Sequence, residues 1–232
     1  MNRNSSPDPR TTWVANAAAW TRAVREGRIE SRRVGTDLAI VEAVRQRAPE
    51  RVLDVGCGEG WLVRALAEGG VDVVGVDGSA PLIDAARSAG GGTFHVRSYA
   101  EIAADPEWLD TAFDAVIFNF ALLEQDVGPL LEAVRGCLAP SGALFIQTVH
   151  PWTARGEAPY RDAWRLETFS GFDMAFPEPM PWFYRTLESW VSLWSAPSRL
   201  IQLEWESKLP GRARRLREKE STHADADRGY AA

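Results

Sequence analysis

Apolar residues in this chain keep two rhythms that take turns, one of three to four residues and one of short unbroken runs. Trp13, Ala17, Trp20 and Val24 follow the first and predict a helix from Thr11 onward. Leu38, Val41 and Val44 follow it again over Thr36 to Arg47, with Pro49 as the stop. The second rhythm begins at Arg51 to Val55, a β-branched run that breaks into glycines. Trp61 to Glu68 then returns to helical spacing, and Gly69-Gly70 ends it. Val71 to Val76 reads as a buried strand, Asp77-Gly78-Ser79 as a turn, and Pro81 to Ser88 as a helix with proline in its first turn. Thr93 to Arg97 predicts a weak strand and Phe113 to Phe120 a strong one. A helix over Val127 to Leu138 and a turn at Pro140-Ser141-Gly142 precede the strand Ala143 to Val149.

Strands alternating with helices of this length predict an α/β fold, a doubly wound and mostly parallel sheet covered on both faces. After His150 the texture changes. Six of the ten tryptophans lie between Trp152 and Trp205, and five prolines between Pro151 and Pro181, which predicts an irregular lid rather than sheet. A helix near Trp182 to Trp194 and a strand near Leu200 to Trp205 are expected to follow it. The organisation expected is one domain over residues 11–207: cap helices over 11–50, a core over 51–150 and a lid over 151–195. Residues 1–10 are polar and proline-bearing, and 208–232 are charge-rich, so both are expected to be disordered or mobile.

Composition narrows the classes. Apolar residues make up 45% of the 232 and charged residues 25%, enough for one full core. No run approaches the roughly 20 apolar residues of a membrane span, and the polar N-terminus does not read as a signal peptide. Cys57 and Cys137 stand far apart, which argues against a disulfide framework or a cysteine metal site and for a reducing cytoplasm. The formal charge of −6 makes nucleic acid an unlikely partner.

The stretch richest in chemistry is VLDVGCGEGW, Val52 to Trp61. A strand runs into Gly56, Gly58 and Gly60 and a helix starts at once, so a ligand can approach the backbone and meet free N–H groups at the helix start. Asp77 lies 77 − 56 = 21 residues beyond the first glycine, at the end of the next strand. A carboxylate there can accept hydrogen bonds from both hydroxyls of a ribose. The spacing is GxGxG, with Asp54 two residues ahead of it, and not the GxGxxG of dinucleotide sites.

This loop resembles the first motif of class I S-adenosylmethionine-dependent methyltransferases. VVGVDGS, FDAVIFNFALLE and LAPSGALFIQTVHP resemble their later motifs in order. The resemblance implies S-adenosyl-L-methionine as cofactor and a small molecule as methyl acceptor. It gives Gly56, Gly58 and Gly60, with Cys57 between them, the approach to the cofactor's methionine and ribose. Asp54 would hold its amino end, Asp77 the ribose hydroxyls, and Gly78 and Ser79 would flank the adenine. Ser98 and Tyr99 match a position that meets the adenine ring, and Asn119 and Phe120 one near the amino acid tail and the methyl. WTRAVREGRIESRRVGTDLAI is similar to the leader of bacterial small-molecule methyltransferases, whose helices close over the cofactor. There Arg32 and Arg33 either meet a carboxylate or form a solvated basic face.

Methyl transfer needs an aligned nucleophile and, for a protonated acceptor, a base. His150, just after the fifth strand, is the first candidate, with Glu124 and Asp126 behind it. Trp152, Tyr160, Trp164, Trp182, Phe183 and Tyr184 can wall an apolar pocket or pack within the lid. Members of the family finish with two antiparallel strands; Arg199 to Trp205 can supply the first, and Lys208 to Ala232 does not supply the second, so the last strand is expected to be missing or replaced. A methyltransferase of tRNA or protein, and a cofactor-binding chain with impaired catalysis, share the same motifs.

Overall fold

The computed structural model describes residues 9–108 and 112–194. Helix α1 spans Pro9–Arg25, so Pro9 and Arg10 already belong to it; a proline suits a helix's first turn because its missing N–H has no partner to lose. A π-type turn over Arg32–Thr36 leads into α2, Asp37–Arg45. Then come β1 (Arg51–Val55), α3 (Trp61–Ala67), β2 (Asp72–Asp77), α4 (Ala80–Ala89), β3 (Thr93–Val96), α5 (Tyr99–Ala104), β4 (Phe113–Asn119), α6 (Gly128–Gly136) and β5 (Leu138–Gln147).

The five strands form one parallel sheet in the order β3-β2-β1-β4-β5. Central strands are buried on both sides, which is why their sequences are near-continuous apolar runs rather than alternations. Val52, Val73, Ala115 and Ile117 pack on one face against Ile40, Val44, Leu62, Val63, Leu66 and Ile83 of α2, α3 and α4. Residues one step along the strands, Leu53, Val74, Val116 and Phe118, are buried on the other face. Right-handed crossovers put α5 and α6 there, and these two helices pack on one another. The order reverses between β1 and β4, which opens a crevice at the carboxyl ends of those strands.

Three expectations need correction in the core. Leu38 is 62% exposed; Ile40, not Leu38, completes the buried face of α2 with Val41 and Val44. The expected turn at Pro140 to Gly142 is a bulge inside β5: Phe113 pairs with Leu138 and Ala115 next with Ala143, so the extra β5 residues loop out. Helix α5 went unread, although Ser98-x-x-Glu101 is a capping box, with both reciprocal hydrogen bonds formed.

The lid is more regular than expected. After α7 (Pro151–Ala154), β6 (Ala163–Glu167) and β7 (Met180–Tyr184) pair antiparallel as a two-stranded sheet. The prolines misled because they sit where the chain tolerates them: Pro151 opens α7, Pro159, Pro177 and Pro179 lie outside the strands, and Pro181 is in a two-stranded sheet. Trp182 to Tyr184 is therefore strand, and the helix expected from Trp182 is α8, Leu187–Trp194. Thr186 Oγ1 accepts the Ser189 N–H at 3.2 Å and starts it. The strand expected near Leu200 to Trp205 and the tail over 208–232 lie outside the described residues.

Candidate active site

Strand β1 delivers the chain into a glycine loop that β2 holds from below. The N–H groups of Gly56 and Cys57 donate to Val76 O at 2.7 and 3.0 Å. Gly58 N donates to Asp77 Oδ2 at 3.0 Å, and Ser79 N to Asp77 Oδ1 at 2.8 Å. Asp77 thus ties the loop to the turn after β2. All three loop glycines are left-handed, but what lies beside them differs. A Cβ on Gly56 would meet Ala121 Cβ at 2.5 Å, and one on Gly60 the Phe94 ring at 2.8 Å. A Cβ on Gly58 would meet only Trp20 Nε1, at 3.7 Å. Gly58 is the member with open space above it.

That space belongs to a cavity of about 330 Å³. Gly56, Cys57, Gly58, Asp77, Gly78 and Ser79 line it on the glycine-loop side. Ser98, Tyr99, Asn119 and Phe120 line it from the ends of β3 and β4. Ser98 has its hydroxyl and N–H committed to Glu101, at 2.6 and 2.8 Å. The Tyr99 hydroxyl donates to Ala121 O at 2.8 Å. Phe120 adopts a φ of 54°, a left-handed conformation that costs a non-glycine residue energy and turns the chain sharply at the end of β4.

Asp54 and Gly60 do not line the cavity: Gly60 faces the core at Phe94 and Ala86, and Asp54 lies buried in β1. Burial and the neighbouring Asp77 carboxylate push the Asp54 carboxyl up to about 7, against the pull of the Arg32 charge. Burial raises Asp77 as well, opposed by the N–H groups of Ser79 and Gly58. Asp54 Oδ1 and Asn119 Oδ1 are buried acceptors without a hydrogen-bond partner. Such acceptors suit a ligand's cationic or N–H-bearing end.

Sequence reading missed much of the opposite wall. Pro9, Arg10, Trp13 and Trp20 of α1 line the cavity, as do Phe169, Phe172 and Arg185 of the lid, beside the expected Trp182, Phe183 and Tyr184. Helix α1 buries Asn16, Ala19 and Ala23, small residues that let it pack closely against α4 and β7 while its tryptophans lean toward the cavity. Asn16 clasps the lid backbone: its Nδ2 donates to Glu178 O at 2.7 Å and its Oδ1 accepts Glu178 N at 3.0 Å. Glu59, 1% exposed, pairs with Arg25 at 2.7 Å and Arg64 at 2.7 Å, joining α1, the glycine loop and α3. Arg32 lines the cavity, pairs with Asp37 at 2.8 Å and lies 4.3 Å from the Trp61 ring centre; Arg33 is exposed and does not line it.

Among the candidate bases, Glu124 lines the cavity and Asp126 is exposed outside it. His150 is exposed and caps α7, its Nδ1 accepting the Trp152 N–H at 3.1 Å, between the lining residues Val149 and Pro151. Trp152 is 59% exposed beside Tyr160, and Trp164 stacks edge-on against Phe183; of these four only Phe183 lines the cavity. Among the described residues no His, Cys, Asp and Glu group could hold a metal, and no helix is long and apolar enough to cross a membrane.

Residues 52–142 match a family described as a methyltransferase domain. Over 155 residues the chain is 31% identical to a malonyl-[acyl-carrier protein] O-methyltransferase of Pseudescherichia vulneris, covering 65% of this chain and 59% of that protein. It is 37% identical over 110 residues to a ubiquinone biosynthesis O-methyltransferase of Aliivibrio fischeri, covering 44% of each. The chain thus spans about half the length of the curated relatives it matches. A solved Listeria monocytogenes structure, assigned to the S-adenosylmethionine dependent methyltransferases, shares the fold at a TM-score of 0.51 and 22% identity, over 66% of this chain and 76% of that one.

Proposed function

We propose that the chain, whose residues 52–142 match a methyltransferase domain family, transfers the methyl group of S-adenosyl-L-methionine to a small-molecule acceptor. The observation that carries this is a single cavity with two unlike walls: a glycine loop with a strand-end carboxylate on one side, aromatic rings from α1 and the lid on the other. The first wall fits the cofactor and the second an apolar acceptor.

The cofactor supplies an electrophilic methyl on a sulfonium, which an aligned nucleophile displaces in line. Gly58 leaves room for close approach. Each Asp77 oxygen has a lone pair beyond the one that holds Gly58 or Ser79, so the carboxylate can accept ribose hydroxyls without releasing the loop. Asn119 presents an orphaned oxygen in the cavity that suits the ammonium of the methionine part, and Asp54, buried behind the lining, would act on it through water. Gly56 and Cys57 shape the loop beside it, and Gly60 serves from the core side. Gly78 and Ser79 flank the adenine. Ser98 and Tyr99 support it indirectly, since Ser98 caps α5 and Tyr99 pins Ala121. Phe120 closes the floor near the methyl.

For an acceptor that must lose a proton, His150 or Glu124 takes it; oxygen is the first acceptor atom to test, as the relatives' names suggest. The formal charge of −6 favours a small acceptor over nucleic acid, and the free cysteines suit a reducing cytoplasm. Calorimetric titration with S-adenosylmethionine, S-adenosylhomocysteine and NAD tests the reading. Binding of the first two and not NAD is expected; the reverse overturns it. Incubation of labelled cofactor with metabolite pools then identifies the acceptor.

A further inference from the structure

Resting on that reading, we propose that Arg185 selects the acceptor, and that the acceptor is an aromatic small molecule bearing a carboxylate, which the guanidinium grips from the lid side of the cavity. Arg185 follows β7 directly, lines the cavity and is 3% exposed. Its Nη1 donates to Leu122 O at 3.5 Å, and its Nη2 donates to the carbonyls of Glu124 and Gln125, the latter at 2.9 Å. Every acceptor is a neutral backbone carbonyl. These bonds brace the 122–125 loop but do not neutralise the charge.

Burial works against the charged form, and only Asp162 and Asp126 act in its favour. Asp162 is already committed: Oδ1 accepts Thr186 N at 2.7 Å and Oδ2 accepts the Ser189 hydroxyl, both at the start of α8. The Phe183 and Trp190 rings lie 5.1 Å from the guanidinium carbon and screen it from water. Burial of a cation is costly, and a carboxylate that accepts the Nη1 hydrogen left over from Leu122 offsets that cost beyond what Asp162 and Asp126 supply. The other acidic group of the lid wall, Glu167, accepts the Phe169 N–H at 2.6 Å and turns away from that role. The arginine on the glycine-loop side, Arg32, is paired with Asp37. Rings on both sides of Arg185 give the flat body of an aromatic acid a wall to lie on.

The test titrates the full chain, with and without S-adenosylhomocysteine, with naphthoate and with naphthamide, which differ in charge and little in shape. Naphthoate is expected to bind at least about tenfold tighter, as a charged hydrogen-bonded pair allows. Arg185→Met should erase that preference and leave the affinity for S-adenosylhomocysteine unchanged, while Arg185→Lys, with the charge but not the fork, should keep part of it. Equal binding of acid and amide by the wild-type chain, or binding of neither, overturns the carboxylate acceptor. A preference that survives in Arg185→Met overturns the assignment to Arg185. Absence of S-adenosylhomocysteine binding would instead sink the cofactor reading, because the acid–amide comparison on the apo chain stands apart from it.

Discussion

Asp54 and Asp77 belong to neighbouring strands, and the sequence made them look alike: two acids bracketing a glycine loop. Their surroundings separate them. Asp77 holds two backbone N–H groups and lines the cavity, so Asp77→Ala should cut S-adenosylhomocysteine affinity at least about tenfold, since a hydrogen bond to a charged group contributes about 1.5–3 kcal/mol. Calorimetry checks this. Asp54 titrates at about 7 because burial and Asp77 disfavour its anion. The folded chain therefore holds that proton more tightly than the unfolded chain, whose aspartate titrates near about 4. Between about 4 and 7 the contribution of Asp54 to stability falls as pH rises, and above that window it changes no further. Urea unfolding across the window should show a loss that Asp54→Asn removes, and S-adenosylhomocysteine should bind tighter as Asp54 ionises, in the wild type only. The glycines part company in the same way. Gly58→Val should abolish cofactor binding with circular dichroism close to wild type, because its side chain would enter the cavity; Gly60→Ala should lower the melting temperature, because its methyl meets Phe94 and Ala86. Spacing alone showed that the loop existed, but not which glycine has open space above it. That depends on Phe94 and Ala121, residues distant in sequence.

Elements that read by periodicity were legible where one rhythm ran unbroken, as in β1, β2, β4 and α3. They were not where two signals competed. The lid sequence carries prolines and tryptophans together, and the antiparallel pairing of β6 with β7 rests on partners some 20 residues apart, such as Ala163 with Tyr184. Helix α1 was visible as a cap helix, yet its hold on the lid was not, because Asn16 looks like an ordinary polar residue until its Glu178 partner is known. Removing that side chain leaves a backbone N–H and a carbonyl of Glu178 unpaired. Asn16→Ala should therefore cost about 2 kcal/mol in denaturant unfolding and speed proteolysis of the segment between β6 and β7. A stability within error of wild type would mean that water replaces the clasp.

At the scale of the molecule, alternation of strands and helices was enough to place the parallel sheet, and the right-handed crossover rule accounts for its order. Part of the cavity's second half was legible, in Trp182, Phe183 and Tyr184, but its completion by α1, Phe169 and Phe172 was not, since the wall joins elements far apart in sequence. That same assembly sets a timetable for synthesis. Asn16 waits for a partner 162 residues downstream, and the Trp20 ring waits for Phe172 and Phe176. At about 5–20 residues per second, the first helix leaves the ribosome roughly 8–32 s before the chain that covers it. Ribosome-bound chains halted near Gly142 should accordingly be cut by chymotrypsin at Trp13 and Trp20, and those extended past Arg185 should resist. Helix α1 can thus dock on α4 early, through Arg25 with Glu59 and Ala85, while its tryptophan face stays uncovered until the lid is made.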